Sequence, residues 1–377
     1  MDVHAQRGRT AAANGRSGTT GSRKAEHIRL NLEADVAAKG ITSGFEDYGF
    51  EHAALPEIDL AEVDVSGTFL SLPVKAPLLI SCMTGGVAEA EPVNAALAEA
   101  AQALGIAVGL GSARVLLENP DATAGFLVRR RCPGVPLLAN LGAVQLNRGV
   151  GVEGCLRIVD RIGADALVLH LNALQEAVQP GGDTCFGGLL PRIAELAAAL
   201  PVPVVVKEVG WGIDAAAVGA LLDAGVAAVD IAGAGGTSWT EVERHRLTDP
   251  SAARVAAAFS GWGIPTARAL AAARAARPSA VLVASGGIRT GLDVATAIAI
   301  GADLVGAAGP FLRAAATGGP EAAAAVGWEW IDVLRLVMFC TGCADLAALR
   351  TTRRLLHRGE RVRDTQTPFA DLRGRPA

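Results

Sequence analysis

Residues 166–176 read Ala-Leu-Val-Leu-His-Leu-Asn-Ala-Leu-Gln-Glu, an apolar run that ends abruptly in polar side chains. An apolar run of this length, flanked by small residues, predicts a buried β-strand. Parallel α/β proteins keep their chemistry at the C-terminal ends of such strands. The stretch therefore predicts both a strand and a chemical site at its end.

Short apolar runs of the same kind recur along the chain and alternate with helical segments rich in Ala and Leu. Strands that alternate with helices imply right-handed crossovers and a parallel sheet. Eight such units predict an α/β protein with a closed (β/α)8 TIM barrel, and the first turn lacks the Gly-x-Gly-x-x-Gly of an open dinucleotide-binding sheet. The predicted strands are Pro77–Ser81, Ile106–Leu110, Val135–Ala139, Ala166–His170, Val202–Val206, Ala227–Ile231, Val281–Ala284 and Asp303–Ala307.

The segments outside this alternation predict additions to the barrel. Residues 44–72 predict an N-terminal lead-in that closes one end, and residues 327–356 predict a C-terminal helical extension. The connection 233–265 is long for a compact domain, which predicts a lid or a binding segment. The predicted division is a disordered leader at 1–22, a single barrel domain at 23–356 and a flexible tail at 357–377.

The composition limits the partners and the compartment. The chain of 377 residues is 51% hydrophobic and 4% aromatic, with a formal net charge of -4. Intermixed charges without a basic face predict no nucleic-acid partner, and no apolar run approaches the roughly 20 residues that span a bilayer. The polar N-terminus lacks the apolar segment of a secretory signal, and six scattered cysteines are typical of reduced thiols. We therefore predict a cytoplasmic protein without a membrane partner.

Two glycine-rich loops follow the seventh and eighth predicted strands. They read Ser285-Gly-Gly-Ile-Arg289 and Gly306-Ala-Ala-Gly309, and each leads towards a helix N-terminus. Backbone N–H groups in such loops bind phosphate, and the helix dipole adds attraction. These strands also carry the usual phosphate site of a barrel. The pattern predicts a phosphate or a phosphate-bearing cofactor.

Lys207 ends the apolar run of the fifth predicted strand, so its stem is buried and its ammonium group reaches the barrel mouth. Two interpretations are open. The ammonium could neutralise Glu208 in a structural pair, or it could stand beside the electron-accepting edge of a flavin. The phosphate site predicted on the neighbouring strands favours the flavin, and Thr84, Ser112 and Asn140 would then hydrogen-bond to its ring.

A series of motifs follows in order between residue 22 and about residue 345. They are Arg23-Lys-x-Glu-His-Ile28, Gly44-Phe-Glu-Asp47, Leu55-Pro-Glu57, Met83-Thr-Gly-Gly86, Asn140-Leu-Gly142, His170-Leu-Asn-x-Leu-Gln-Glu176, Val206-Lys-Glu-Val-Gly210, Gly233-x-Gly-Gly-Thr-Ser-Trp239, Trp262-Gly-Ile-Pro-Thr266 and Ser285-Gly-Gly-Ile-Arg289. In these motifs the chain resembles the type 2 isopentenyl-diphosphate isomerases, FMN-dependent barrel enzymes that interconvert isopentenyl and dimethylallyl diphosphate. The N-terminal Arg-Lys pair and the His-Leu-Asn-x-x-Gln-Glu segment distinguish this family from other FMN barrels.

The resemblance implies an isomerase of isoprenoid biosynthesis that uses FMN, Mg2+ and, to reduce the flavin, NADPH. Arg23 and Lys24 would bind the substrate diphosphate with help from Arg114, and Glu176 would hold Mg2+. Guanidinium, ammonium and a hard cation with a carboxylate ligand are the groups that suit the charge of a diphosphate. The implied substrate-binding residues are Arg23, Lys24, Arg114, His170, Asn172 and Gln175, and the implied catalytic residues are Gln175 and His170.

The implied reaction involves no net redox change, because the reduced flavin moves a proton to and from the allylic system. Gln175 would lie over the carbon skeleton, where an amide without a useful pKa acts as an orienter or relay and not as a base. The implied FMN-binding residues are Met83, Thr84, Gly85, Ser112, Asn140, Lys207, Thr237, Gly286, Gly287, Arg289, Ala307 and Ala308.

Other classes compete with the isomerase. A 2-hydroxy-acid oxidase would need a His–Arg pair at strand ends, and an inosinate-dehydrogenase-like enzyme would need a cysteine in the loop after strand six, which reads Gly-Gly-Thr-Ser. A non-catalytic flavin-binding protein would leave Arg23, Lys24 and Glu176 without a role. Family members are commonly tetramers or octamers, so we expect a homo-oligomer. The sequence leaves open whether Arg23 and Lys24 serve their own subunit or a neighbouring one.

Overall fold

The structure is a computed structural model that describes residues 20–83, 85–119, 121–123 and 125–359. The strands are β1 (Tyr48–Phe50), β2 (Gly67–Phe69), β3 (Leu72–Val74), β4 (Leu78–Ile80), β5 (Ala107–Ser112), β6 (Leu137–Gly142), β7 (Ala166–His170), β8 (Val204–Lys207), β9 (Ala228–Asp230), β10 (Leu282–Ser285), β11 (Leu304–Ala307) and β12 (Leu355–His357). The α-helices are α1 (Thr20–Glu33), α2 (Ala90–Leu104), α3 (Val115–Glu118), α4 (Val152–Ile162), α5 (Ala173–Val178), α6 (Leu189–Ala199), α7 (Ala215–Asp223), α8 (Trp239–Arg246), α9 (Pro250–Ala257), α10 (Thr266–Ala276), α11 (Gly291–Ile300), α12 (Gly309–Thr341) and α13 (Leu346–Arg350).

The strands from β4 to β11 form the closed parallel barrel that the sequence predicts. Each pairs with the next along the chain, and β11 closes the ring on β4. Every predicted run overlaps one barrel strand, and β7 has the predicted bounds. β5 and β6 extend further towards the mouth than predicted, to Ser112 and Gly142, because their backbone ladders continue beyond the apolar run. The (β/α)8 prediction is confirmed.

The β2–β3 hairpin packs into the barrel interior. Phe69 is 2% exposed and contacts a cluster of strand side chains that includes Leu79, Val168 and Val283. The hairpin lies within the segment predicted to close one end of the barrel. It leaves the opposite end, where the strands have their C-termini, free for a site.

α1 and β12 lie at the two ends of the described residues. α1 begins at Thr20, inside the predicted leader, and the last residue of β12, His357, pairs with Tyr48 of β1 although it falls in the predicted tail. The rest of the predicted leader and tail, 1–19 and 360–377, lies outside the described residues.

The long connection between β9 and β10 is largely helical. The charged run 241–246 falls in α8, where two ion pairs between residues three apart support the helix. α9 follows, with the side chain of Asp249 accepting backbone hydrogen bonds as its N-cap and Pro250 in its first turn. Local helix-forming contacts thus shape a segment that composition alone presents as a loop.

α12 begins earlier than the predicted C-terminal extension and continues the eighth barrel unit. It is bent at Gly319, whose φ of 70° lies outside the helical region, and Pro320 starts the second half. Among the described residues, no helix is both long enough and apolar enough to cross a membrane.

A salt-bridged clamp joins the N-terminal ends of β6 and β7. Asp165, which directly precedes β7, accepts hydrogen bonds from the Arg129 guanidinium and from the backbone N–H of Leu137 at 2.8 Å. Arg129 also donates to the backbone carbonyl of Gly163. The clamp fixes the register at the closed end of the barrel.

The same clamp recurs four strands later, between β10 and β11. Asp303 accepts from Arg274 at 2.7 Å and from the backbone N–H of Leu282 at 2.9 Å, and Arg274 donates to the carbonyl of Gly301. Asp303 has a further partner, Arg350 of α13, at 2.9 Å. Both aspartates follow the tripeptide Ile-Gly-Ala.

Asp303→Ala is expected to destabilise the protein more than Asp165→Ala. Charge-assisted hydrogen bonds contribute about 1.5–3 kcal/mol, and partial exposure weakens them, so we expect a loss of about 2–3 kcal/mol for Asp303 and less for Asp165. Thermal midpoints at one scan rate measure the difference. Arg350→Gln leaves Asp303 with the partners that Asp165 has, so Asp303→Ala in that background should cost no more than Asp165→Ala. Equal losses in the unmodified background would contradict the prediction.

Candidate active site

A cavity of about 440 Å³ opens at the C-terminal ends of the barrel strands, with α1 and α8 contributing to its wall. Gly85 is not part of this wall, and Thr84 lies outside the described residues. All the other predicted site residues line the cavity: Arg23, Lys24, Met83, Ser112, Arg114, Asn140, His170, Asn172, Gln175, Glu176, Lys207, Thr237, Gly286, Gly287, Arg289, Ala307 and Ala308.

α1 brings Arg23 and Lys24 to the cavity of their own chain. Nζ of Lys24 donates to the backbone carbonyls of Gly85 and Ser112, each at 2.8 Å, and lies 5.8 Å from the ring centre of Phe126. Burial, with the nearby charge of Arg23, lowers the pKa of Lys24 to about 8. Lys24 therefore fastens α1 to the loops after β4 and β5. In this arrangement Gly85 takes part through its carbonyl.

His170 stands at the end of β7, opposite Lys207 of β8 in the strand register. Its Nδ1 lies 2.7 Å from Oδ1 of Asn140. Burial, together with the charges of Lys207 and Lys24, lowers the pKa of His170 to about 3, so the ring is neutral near pH 7. Since Oδ1 of Asn140 only accepts, Nδ1 carries the proton and Nε2 is an acceptor.

Asn172 and Gln175 form the start of a hydrogen-bonded chain along α5. Nδ2 of Asn172 donates to Oε1 of Gln175 at 3.2 Å and to Oε1 of Glu176 at 3.0 Å. Nε2 of Gln175 in turn donates to Oε1 of Glu243 at 3.3 Å. Gln175 is 8% exposed, so both ends of its amide are held in a buried position.

Glu243, on α8, is the functional candidate that the sequence reading missed. Its side chain is fully buried, and Oε1 accepts from Nε2 of His27 at 2.9 Å as well as from Gln175. The ring of His27 packs edge-on against Trp239 at 5.1 Å. His27 and Trp239 belong to the motifs quoted above, and both line the cavity. A helical reading of 239–246 would have placed Glu243 one turn after Trp239, on the same face.

The Glu243 carboxyl is held ionised. Burial by itself raises its pKa, but the hydrogen bond and charge of His27, the charge of Arg246 and the hydrogen bond from Gln175 outweigh burial, and the pKa lies below its usual range. A buried carboxylate in contact with an amide at the cavity wall is a group that can accept a proton.

Glu176 sits beside this chain, within α5. Its Oε2 accepts from the backbone N–H of Asp183 at 2.6 Å and from Nε2 of Gln179. Within the described part of the chain its Oε1 accepts only the Asn172 hydrogen bond. Oε1 therefore keeps a lone pair for a cation. Oδ1 of Asn172 is buried without a hydrogen-bond partner among the described residues. No group of three or more His, Cys, Asp or Glu side chains capable of holding a metal occurs in the described part of the chain.

Lys207 lines the cavity floor, and Asp230 stands next to it on the adjacent strand. The two residues are register partners, and burial raises the pKa of Asp230 despite the opposing charge of Lys207. Oγ of Ser285 donates to Oδ1 of Asp230 at 2.6 Å. Oγ of Ser81 is buried without a hydrogen-bond partner among the described residues.

Glu208 is held by the backbone and not by the Lys207 ammonium. Its Oε2 accepts from three successive N–H groups, those of Val209, Gly210 and Trp211, at 2.6, 2.7 and 2.6 Å. Burial raises the pKa of Glu208 to about 7 despite these donors. Lys207 donates instead to the Glu208 backbone carbonyl. The structural interpretation of Lys207 as a charge partner for this carboxylate therefore lacks a direct contact.

Glycines form the wall where the loops after β9 and β10 meet. A Cβ on Gly236 would lie 2.6 Å from the backbone nitrogen of Gly287, and a Cβ on Gly286 would lie 2.1 Å from the carbonyl oxygen of Gly233. Gly286 and Gly287 also have φ of 98° and 75°. Side chains cannot fit here, so the two loops present backbone to the cavity.

Several relatives found by comparison with known proteins carry the same name. The chain is 54% identical over 87% of its length to the isopentenyl-diphosphate delta-isomerase of Synechococcus sp., of which it covers 94%. It is 53% identical over 88% of its length to the enzyme of that name from Xanthobacter autotrophicus, covering 96% of it. The corresponding protein of Oceanobacillus iheyensis is 46% identical over 91% of this chain and is covered to 98%.

Two further comparisons concern the barrel. Residues 189–357 match the family described as FMN-dependent dehydrogenase. A flavocytochrome b2 variant solved with pyruvate bound superposes with a TM-score of 0.64 at 18% identity, covering 93% of this chain and 89% of that one. A mandelate oxidase variant with an FMN monooxide adduct gives a TM-score of 0.58 at 18% identity, covering 90% of this chain and 93% of that one. At this identity the solved structures show the fold alone.

Proposed function

The chain belongs to the type 2 isopentenyl-diphosphate delta-isomerase family, and from this premise we propose that it interconverts isopentenyl diphosphate and dimethylallyl diphosphate with reduced FMN and Mg2+. The observation that carries the proposal is that one cavity has cationic residues on one side and proton-transferring residues on another. Arg23 and Lys24 make one side cationic, and the buried Gln175–Glu243 contact makes another side suited to proton transfer. The product would enter isoprenoid biosynthesis.

The reaction moves a double bond by one carbon without net oxidation. A proton is added to the terminal methylene carbon of isopentenyl diphosphate, and another proton leaves the methylene carbon on the far side of the double bond. Reduced FMN supplies a proton-transferring ring at the alkene when it is bound. The chain must therefore hold the diphosphate, orient the alkene and exclude water from a carbocation-like transition state.

The diphosphate is the natural ligand of the cationic side. Arg23, Lys24 and Arg114 provide charge, and a guanidinium donates to phosphate in two directions at once. His170 is neutral in the free protein, so it serves as a hydrogen-bonding group unless the bound anion draws a proton onto Nε2. Asn172 lines the cavity and donates to Gln175, so we propose that it also contacts the diphosphate.

We propose that Gln175 and Glu243 have different roles in the proton transfer. The Gln175 amide has no pKa near neutrality and is oriented at both ends, so it positions the alkene or relays a proton. The ionised Glu243 behind it is the carboxylate that a proton relayed through Gln175 can reach, although its lowered pKa makes it a weak acceptor. This assignment adds Glu243 to the sequence-derived pair of Gln175 and His170.

The cavity floor and the glycine wall suit FMN. The wall formed by Gly286 and Gly287, with Thr237, Arg289 and the residues after β11, offers backbone N–H groups and a guanidinium to a phosphate. The unpartnered Ser81 hydroxyl, with Asn140 and Lys207, suits the polar edge of a flavin ring. Met83 and Ser112 complete the side of the wall at β4 and β5, and NADPH is the proposed reductant.

Glu176 suits Mg2+ shared with the substrate. Mg2+ commonly takes one or two carboxylates and completes its shell with phosphate oxygens and water. One carboxylate with a free lone pair fits that pattern, whereas a cage made wholly of protein ligands would need more acidic groups. We also propose that the protein is cytoplasmic and forms a homo-oligomer, either a tetramer or an octamer.

The decisive experiment measures product against NADPH. Purified protein that is yellow with bound flavin is reduced anaerobically and supplied with Mg2+ and isopentenyl diphosphate. We expect many turnovers to dimethylallyl diphosphate for each flavin reduced, with no stoichiometric loss of NADPH. Stoichiometric NADPH consumption would identify an FMN-dependent oxidoreductase instead, and no conversion at all would refute the isomerase.

We expect kcat/KM to fall on the basic side near pH 8, and we assign this fall to Lys24. The protonated amine is the form that attracts a diphosphate, and its pKa of about 8 means that this form is nearly complete a pH unit or more below 8 and is lost as the pH rises through that value. Above it, kcat/KM should fall by about tenfold per pH unit. Lys24→Arg keeps its charge, so the fall should disappear. A fall that persists in Lys24→Arg would assign it to another group.

A further inference from the structure

Arg246, in the last turn of α8, pairs with two carboxylates from different helices. Its Nε donates to Oε2 of Glu26 at 2.9 Å, and its Nη1 donates to Oε2 of Glu243. The Arg246 side chain is 14% exposed and that of Glu243 is 0% exposed. The guanidinium fork satisfies both acceptors at once, which the single charge of a lysine does not do in this geometry.

This guanidinium connects the two halves of the site. Glu26 lies on α1 two residues after Lys24, so its contact ties the helix that carries the diphosphate-binding cations. Glu243 lies on α8, and its other oxygen, Oε1, holds Gln175 and His27. Arg246 itself is outside the cavity wall.

We propose that Arg246 is a positioning residue for the isomerisation: it fixes the Glu243 carboxylate towards Gln175 and fastens α1 over the diphosphate site. This inference rests on the proposed function. The groups that face Glu243 are His27 from α1, Gln175 from α5 and Arg246 from its own helix. Glu26 reaches it only through Arg246, and α9, which packs on α8, contributes no described hydrogen bond or ion pair to it.

The burial of the pair separates it from an ordinary surface salt bridge. Exposed ion pairs contribute about 0–1 kcal/mol, whereas removal of one partner of a buried pair leaves the other charge uncompensated. Loss of Arg246 therefore acts on Glu243 in two ways. The carboxylate loses the contact that sets its orientation, and it loses a neighbouring positive charge that favours its ionised form.

Three variants of the full-length, FMN-loaded protein separate these effects. Arg246→Gln breaks both contacts. Glu26→Gln weakens the contact between Arg246 and α1, together with the 4.0 Å pair between Glu26 and Arg29. Arg244→Gln is the matched control. Arg244 lies on the same helix and pairs at 2.8 Å with Glu241, a carboxylate that is also three residues earlier and 3% exposed in its side chain, but neither residue lines the cavity.

For Arg246→Gln we expect kcat to fall about 10- to 100-fold, the acid limb of its pH profile to move to higher pH, and hydrogen–deuterium exchange of the α1 amides to quicken. For Glu26→Gln we expect faster α1 exchange and a higher KM, with the acid limb in place. For Arg244→Gln we expect kcat, the acid limb and α1 exchange as in the unmodified protein.

The proposal is overturned if Arg246→Gln retains the acid limb and kcat of the unmodified protein, or if Arg244→Gln changes them equally. A failure of the proposed function looks different, because the unmodified holoenzyme would then show no isomerisation. In that case the hydrogen–deuterium exchange of the α1 amides still tests whether Arg246 holds α1 in place. Equal protection of these amides in Arg246→Gln and Arg244→Gln would refute this role without any measurement of activity.

Discussion

Glu243→Gln is expected to lower kcat for isomerisation by about 10³-fold, within the range by which positioned acids and bases accelerate proton transfer. Glutamine has the size of glutamate and can still accept the hydrogen bond from Gln175, but it cannot take up a proton. The variant should therefore keep its fold and its flavin. Turnover at saturating substrate, with the flavin absorbance recorded on the same sample, measures both properties.

Glu241→Gln provides the control for this loss. Glu241 is 2% exposed, lies on the same helix two residues earlier, and pairs with Arg244 away from the cavity. Neutralising it repeats the removal of a buried helical carboxylate without touching Gln175 or His27. If Glu243→Gln retained more than a tenth of kcat, or if Glu241→Gln lost as much activity, Glu243 would have no role in moving the proton.

Gly236→Ala is expected to weaken FMN binding by at least about 100-fold, which corresponds to about 2.8 kcal/mol. The added methyl group would lie 2.6 Å from the backbone nitrogen of Gly287, a distance that the loops can relieve only by moving apart. The φ of Gly236 is not in the left-handed region, so the substitution introduces no backbone strain of its own. Titration of apoprotein with FMN, followed by flavin fluorescence, gives the dissociation constant.

Gly151→Ala is the matched control, because a Cβ at this position meets nothing within 4 Å and the backbone has no positive φ. It should bind FMN as the unmodified protein does. Circular dichroism of both apoproteins distinguishes a lost binding site from a lost fold. A folded Gly236→Ala that binds FMN normally would remove the glycine wall from the cofactor site.

The sequence predicted the barrel well because its signals are local. β7 has the predicted bounds 166–170, since an apolar run that stops at a histidine marks both the buried strand and its end. The apolar periodicity of residues 152–162 and 266–276 also predicts helices with the bounds of α4 and α10, because helical periodicity and its interruption by glycine or proline act within a few residues. Strand-end residues could be gathered into one candidate site because parallel strands bring their C-termini to the same face.

The missed residues depend on contacts between distant parts of the chain. His27 and Glu243 are 216 positions apart, and nothing in the residues around either one indicates that they meet. Glu243 stood in a charged run, and charge runs usually face water. The contact between Lys24 and the Gly85 carbonyl likewise joins distant segments, and the assignment of Gly85 to the cofactor stays a prediction.

The sequence by itself determined the eightfold alternation, the glycines at the last two strands and the set of polar residues at the strand ends, because each is a property of a short segment. Only the tertiary structure decided which of those groups touch and which are charged. His170 is neutral chiefly because it is buried, with the charges of Lys207 and Lys24 adding to that effect. Glu243 is ionised because its contacts with His27 and Arg246 outweigh its burial. A pKa depends on burial and on neighbouring charges, and neither exists until the chain has folded.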